Sequence, residues 1–416
     1  MSWFGSSSDN STQPQNFYPV TSSLTGFGEL SEEDTTWSCT YNRGFQTETQ
    51  TFYSILSDGS FFLCQVIWSY TGLFVVPATA QMTFKVYNPH TRKQVWRSVS
   101  SSGFKPNGRS CKSDQFEIKH TGSPTTAETY SITASLDKTV QLSVTFTRPA
   151  DAPGFKLGAG ENGGISTFGR EKTDGKRDGH VVHRFHPMML SSGSIVMEGQ
   201  ILDAKGDGMF VHAIQGMRPD SLASRWNFVF FTSGGGNEDS ELGAVRAVQM
   251  EFQTTDSYGL SGNKSGRAKV NLGAIYSTAS TSPLVVTGQT HGDGFPVVSK
   301  DISQASHLSP RKDKTGYLVP SGLEFVWEGE RRDGEGRASA KLLIEEVGTT
   351  AGEGGLIEKV DVLAEIPYVI RKGLAAAGTK PYIFQYLNAA TLEIIMGEKT
   401  VPVKGWSFNE ASFVSE

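Results

Sequence analysis

The sequence predicts an all-β protein of two domains, and three observations carry that prediction. The 416 residues include 46 Gly and 25 Phe alongside abundant Ser and Thr. Runs of Ala, Leu, Glu and Lys at helical period are almost absent, so many short strands joined by turns are expected. The chain is too long for one compact core: at about 150 residues per domain it holds two or three, and two is the starting reading. Strict alternation then appears where Met82, Phe84 and Val86 are interleaved with Thr83, Lys85 and Tyr87. It recurs where Val140, Leu142, Val144 and Phe146 are interleaved with Gln141, Ser143, Thr145 and Thr147. Period two is the mark of half-buried antiparallel strands.

In chain order, residues 1–30 are polar and rich in Ser and Thr with isolated aromatics (Trp3, Phe4, Phe17, Tyr18), and read as a flexible arm. Periodic order begins near Asp34. Phe61 to Trp68 (FFLCQVIW) and Trp226 to Phe231 (WNFVFF) are apolar on both faces, as expected of strands with a cavity on one side and a packed layer on the other. Each contains one neutral amide, Gln65 and Asn227. Between 149 and 187 the alternation lapses into Pro, Gly and charge, which places a domain junction at its end. The expected division is therefore an arm at 1–30, an N-terminal domain at 31–187 and a C-terminal domain at 188–416. Strands resume at 194–201, 209–215, 245–253, 267–276 and 323–327, and 328–355 reads as a charged, Gly-rich excursion capping a hairpin. One segment reads as helix, from Ile366 to Ala377, with Pro367 in its first turn and Gly378 as its stop.

Net charge is −5 with both signs interspersed, so no basic face exists for a phosphate backbone and nucleic acid is not an expected partner. Cys39, Cys64 and Cys111 are an odd number at wide spacing, which fits a reducing compartment rather than a disulfide framework. Cys64, inside an apolar strand, reads as a small buried hydrophobe. The start has no basic and apolar signal regions, and no uncharged apolar run approaches the roughly 18 residues of a membrane span, so any membrane contact is expected to be peripheral.

The motifs offer little chemistry. Gly158-Ala159-Gly160-Glu161-Asn162-Gly163 matches the dinucleotide fingerprint, but no helix is expected after it to hold a pyrophosphate, and a Gly-rich loop is the better reading. His180, His183 and His186 would share a face only in a helix; in a strand His183 lies opposite the other two, and no nearby acidic or thiol ligand completes a metal shell. A pocket-facing imidazole at His183 is retained as a candidate. Acidic residues such as Glu251 and Asp256 look scattered, as at a solvated sheet edge. With no catalytic constellation, metal or cofactor expected, the candidate site is a ligand-binding one: Gln65, Trp68, His183, Trp226, Asn227, Phe228 and Phe230.

Several of these segments carry a family resemblance. Phe61 to Ser69, Met209 to Met217 with Arg218 and Pro219, Arg225 to Phe231, and Val360 to Pro367 continuing through Gly378 to Pro381 together resemble the fungal survival factor 1 family, from about Asp34 to Phe413. The resemblance implies two tandem lipocalin-like antiparallel β-barrels with one C-terminal helix. It implies a carrier of ceramide or a similar apolar lipid from endoplasmic reticulum to cis-Golgi, supporting sphingolipid synthesis and survival of oxidative stress. It further implies a cytoplasmic protein, also nuclear in some settings, with transient contact at those membranes. The physics agrees: at about 0.8 kcal/mol per methylene, a lipid with about 30 of them faces on the order of 20 kcal/mol to leave a bilayer unaided. Neutral amides can satisfy a head of hydroxyl and amide groups without a buried charge. Family members can begin with an amphipathic membrane helix, whereas Trp3 and Phe4 before a serine run are too short for one. A cofactor-free cyclase or isomerase acting on a terpenoid or polyketide would present much the same sequence, and is the alternative reading.

Overall fold

The computed structural model describes residues 15–41, 44–234, 241–260, 267–292, 294–365 and 380–415. It is all-β as the sequence predicts, and its strands form two strongly curled, nearly closed antiparallel sheets. In the first, the spatial order is Lys93–Ser101, Thr79–Asn88, Phe61–Tyr70, Gln46–Leu56, Gly206–Gln215, Gly179–Met197, Val140–Arg148, Glu128–Ser135 and Phe116–Thr121, followed by two short strands. In the second it is Val285–His291, Lys269–Ser277, Val245–Thr254, Ala223–Thr232, Lys399–Phe413, Tyr382–Met396, Arg337–Ile344, Gly322–Glu330 and Ile302–Leu308. A β-bridge between Val285 and Arg331 draws the two margins of this second sheet together.

Alternation sorts the apolar residues into three clusters. Phe62, Cys64, Val66, Trp68, Phe84, Tyr130, Phe146 and Phe210 fill the first barrel. Val229, Phe231, Phe325, Trp327, Leu342, Phe384 and Phe413 line the second. The third cluster lies between the barrels and draws on both: Tyr53, Phe61 and Leu63 from one, Phe228, Phe230, Phe252, Leu272 and Phe408 from the other. The two doubly apolar runs are thus explained. Even-numbered residues of Phe61–Tyr70 point into the first barrel and its odd-numbered Phe61 and Leu63 meet the second. In Ala223–Thr232 the odd-numbered Val229 and Phe231 point inward and Trp226, Phe228 and Phe230 meet the first.

Three expectations need correction. Residues 15–30 are not a free arm. Phe17–Tyr18 pairs with Ile165–Phe168, and Phe27–Glu29 pairs with Phe155–Leu157. Phe17 is fully buried, its ring 4.8 Å from Phe168 of the first sheet and 6.2 Å from Phe252 of the second. A few aromatics decide the packing of a segment whose average composition is polar. The expected junction at 187/188 falls inside the strand Gly179–Met197, and the first sheet continues through Gly206–Gln215. The changeover lies at 216–222, where Pro219 opens the one-turn helix Pro219–Leu222. The Gly-rich stretch ahead of 187 belongs to the first sheet, its fingerprint-like glycines linking strands Phe155–Leu157 and Ile165–Phe168. Finally, the 328–355 excursion contains the strand Arg337–Ile344, which pairs with both Gly322–Glu330 and Tyr382–Met396. The helix expected at 366–377 lies outside the described residues; Val362–Glu365 forms a single helical turn before it.

Candidate ligand-binding interior

The structure distributes the seven candidate residues over four environments. Gln65 lies half-buried on the outer face of the first barrel, where its amide donates to Thr51 Oγ1 at 2.8 Å across the strand pair. Trp68 is inside that barrel, stacked with Tyr70 at 6.4 Å. His183, Trp226, Phe228 and Phe230 do come together, in or against the aromatic layer between the barrels: His183 meets Trp226 edge-on at 5.6 Å and lies 6.4 Å from Phe252. His183 carries no charge there, because burial pushes its pKa down to about 4. His186 points the other way, toward Phe210 and Glu128 of the first barrel, as strand alternation requires. Asn227 alone of the seven faces the second barrel's interior.

The first barrel's interior is occupied by its own side chains. Phe52 has Tyr130, Phe146 and Phe210 within 5.3 Å, ring centre to ring centre. Its polar side includes a charged cluster, in which Glu128 accepts from Arg109 and from Arg148 Nε at 2.6 Å with His120 Nε2 3.1 Å away; Glu48 lies 2.9 Å from His212, both fully buried, and the neutral Gln50 Oε1 has no hydrogen-bond partner among the described residues. Burial would raise the Glu128 carboxyl, but His120, His186 and Arg148 outweigh it and hold the pKa at about 2. Glu128 with its two arginines braces the wall of this barrel.

The second barrel differs. Its polar residues stand on Ala223–Thr232, Val245–Thr254, Lys269–Ser277, Val285–His291 and Ile302–Leu308, and join into one network. Glu251, 1% exposed, accepts from Asn227 Nδ2 at 2.9 Å, from Asn271 Nδ2 at 3.1 Å and from the Ala305 amide at 3.3 Å. Asn271 also donates to Gln249 and accepts from Ser303, which accepts in turn from Thr287. Across the interior stands an apolar wall that includes Phe325, Trp327, Leu342, Phe384 and Leu392. Polar alternation points inward in these strands because their outer faces are packed against the first barrel. Glu251, read from sequence as a solvated edge residue, is the hub of the network for that reason.

Three buried atoms of this interior have no hydrogen-bond partner among the described residues: His307 Nδ1, Tyr386 Oη and Asn409 Oδ1. His307 Nε2 lies 2.7 Å from Asn227 Oδ1. Since Asn227 gives its amide hydrogen to Glu251, its oxygen accepts from the His307 ring, which leaves Nδ1 as a bare acceptor. Burial, with the charges of Arg225 and Lys269 behind it, pushes the His307 pKa down to about 3, so the ring is neutral. Burial pushes the Tyr386 phenol up, so it keeps its proton and can donate. Tyr386 and Asn409 are direct cross-strand partners and share the interior face with Val229. The interior therefore offers two acceptors and one donor, all uncharged, opposite an apolar wall. None of these three was picked out from sequence; His307, alternating with Ala305 and Ser303, was the one visible signal.

Two curled antiparallel sheets, the second with a buried polar network around Glu251 facing an apolar wall, define a tandem lipocalin-like barrel protein. The solved structure of a putative AttH from Nitrosomonas europaea has the same fold, with a TM-score of 0.50 at 11% identity over 89% of this chain and 92% of that one. The chain belongs to the Svf1 family, whose model matches residues 1–415. Among its relatives, the ceramide-binding protein SVF1 of Yarrowia lipolytica is 31% identical over 96% of this chain and 94% of that protein. The ceramide-binding protein svf1 of Emericella nidulans is 28% identical over 97% and 95%, and that of Schizosaccharomyces pombe 28% over 97% and 94%.

Proposed function

We propose that this protein binds ceramide with the lipid head in the second barrel and carries it through the cytoplasm from endoplasmic reticulum to cis-Golgi membranes. The observation that carries the reading is the set of unpartnered atoms at His307, Tyr386 and Asn409. A ceramide head has hydroxyls that donate and an amide carbonyl that accepts, and it carries no charge. Hydroxyl donation to His307 Nδ1 and Asn409 Oδ1 and acceptance from Tyr386 Oη would satisfy every one of them, and unsatisfied buried polar atoms cost about 1–3 kcal/mol each. The acyl and sphingoid chains would lie along the Phe325, Trp327 and Leu342 side. The names of the relatives support the same ligand, and support of sphingolipid synthesis and of survival under oxidative stress follows from delivery of that lipid.

The test is titration of the full chain with a fluorescent ceramide, with native mass spectrometry for stoichiometry. One ceramide per chain is expected, with at least tenfold weaker binding by the double variant Tyr386→Phe, Asn409→Leu and little binding of phosphatidylcholine, whose charged head finds no partner here. Equal ceramide affinity of the double variant and the wild type would refute the placement of the head. Absence of ceramide transfer between donor and acceptor liposomes would refute the carrier role, and retention outside the cytoplasm in a tagged strain would refute the route.

A further inference from the structure

We propose that the turn joining Phe61–Tyr70 to Thr79–Asn88 is a membrane-inserting tip that docks the first barrel on the surface of a lipid bilayer. The turn is closed by a hydrogen bond from the Val76 amide to the Leu73 carbonyl at 2.9 Å, so Phe74 and Val75 occupy its two corners. Corners of this kind normally carry Gly, Pro, Asn, Asp or Ser, whose backbone and side-chain chemistry suits a solvated turn. Here Leu73 is 56% exposed, Phe74 97% and Val75 89%, three consecutive large apolar side chains directed into solvent. No packing requirement of the fold accounts for them.

The surroundings point to a bilayer rather than to another protein. The tip is convex and projects, whereas a protein partner with an apolar anchor needs a pocket to receive it and a polar rim to orient it. From Phe61 to Phe84 the chain has no Asp, Glu, Lys or Arg, so inserting the tip desolvates no charge. Beside it stands Tyr41, 67% exposed, its ring 5.4 Å from Trp68 and 5.1 Å from Tyr70. Tyr41 is an exposed amphipathic aromatic at the level of lipid headgroups, where Tyr and Trp concentrate, and the buried Trp68 and Tyr70 hold its ring in place. The base of the turn is held rigidly: Gly72 has φ +79° and lies so close to Gly44 that a Cβ would come within 2.5 Å of its backbone. The tip is also at the opposite end of its strand from Phe61, the residue that contacts the second barrel, so a docked molecule keeps the barrel interface clear of the membrane.

Moving one side chain of this size out of water multiplies a partition coefficient by about tenfold or more. Three of them give reversible adhesion, and because none of the three carries a charge their adhesion should be insensitive to salt. The experiment is flotation of the full chain with neutral phosphatidylcholine vesicles at low and high salt, beside the variant L73S/F74S/V75S. Wild-type flotation that persists in high salt, falling at least about 100-fold in the triple variant, is expected. Because all three side chains are exposed, the variant should melt with the wild type, and circular dichroism checks this. A Phe74→Trp variant supplies the second readout: emission from the introduced indole should shift to the blue and be quenched by lipids brominated near the headgroup. Equal flotation of the triple variant, or an unshifted and unquenched indole emission from Phe74→Trp on vesicles, would overturn the proposal. So would flotation that requires anionic lipid, or capture of the tip by a protein with no vesicle binding. These outcomes are independent of whether ceramide occupies the second barrel.

Discussion

The rings of Phe61 and Phe408 stack across the two barrels with centroids 4.0 Å apart and planes 10° from parallel, both side chains fully buried. Tyr53 lies 5.6 Å from the same Phe408 ring and 5.2 Å from Phe228. This contact is continuous with the layer that Phe17 completes from the N-terminal segment, so the barrels share one hydrophobic core. A single calorimetric unfolding transition is expected. Phe408→Ala should cost about 3–5 kcal/mol, the range for a large aromatic removed from a tight site. It should also split the endotherm in two, because the shared layer is what couples the halves. An unsplit transition with an unchanged midpoint would contradict that coupling.

His183 makes the same layer sensitive to acid. Its pKa is held at about 4 by burial against 6.5 for the ordinary group, so the folded protein refuses a proton that the unfolded chain accepts. Its contribution to stability is complete above pH 6.5 and declines as pH falls from 6.5 toward 4. At about 1.4 kcal/mol per pH unit the loss is roughly 3 kcal/mol. Urea unfolding at pH 7, 6 and 5 should give a steadily falling free energy, and His183→Phe should flatten the slope by about one proton. A variant that keeps the wild-type slope would assign the effect elsewhere, His186 first, since its pKa is also held at about 4.

Strand content was legible because alternation survives wherever one face of a strand meets water, as at Val140–Arg148, whereas the pair of barrels was an implication of the family resemblance. The two doubly apolar runs were legible as strands, expected with a cavity on one face and a packed layer on the other, and both faces are packed. What fills those faces was not legible. A period of two separates the sides of a strand without saying which side is inward, and the barrel-to-barrel contact inverts the usual sense. Trp226, Phe228 and Phe230 look like a lining but form the outer, inter-barrel face, while Gln249 and Glu251 look solvated but point inward. Tyr386 and Asn409 are far apart in sequence and become neighbours only through the pairing of the last two long strands. The two-residue turn Gly397-Glu398 between Met396 and Lys399 fixes that pairing, and it is the local signal that the sequence reading passed over.

Asn227 links Glu251 to His307, so its removal should disturb both. Asn227→Leu strands a buried carboxylate oxygen and an imidazole, at an expected cost of about 3 kcal/mol. Paired with Glu251→Leu, the loss should be smaller than the sum of the two single losses, because the second change removes the group the first left unsatisfied. Chemical denaturation of the four proteins of this cycle measures the coupling. Additive losses would show that Asn227 and Glu251 act separately.

The barrels are also joined by charge. Lys85, 2% exposed, reaches from the first barrel to donate to Glu358 Oε2 at 2.7 Å and to Gln385 of the second, with its ammonium 4.6 Å from the centre of the Trp96 ring. Gln94 donates to the same Glu358 oxygen at 2.7 Å. Glu358 keeps 23% of its side chain exposed, so the pair opens to solvent on one side only. Glu358→Gln should remove the carboxylate 2.7 Å from the ammonium and cost about 3 kcal/mol, the lower end of what breaking a buried pair costs. Adding Lys85→Met should recover most of that loss, since the apolar replacement fills similar volume against Trp96 and removes the ammonium left without its Glu358 carboxylate. The double variant more stable than Glu358→Gln in thermal melts is therefore the expected order. The reverse order would mean that Lys85 is stabilised by Gln385 and Trp96 without its carboxylate, and that the clasp holds through hydrogen bonding and cation–π contact instead of ion pairing.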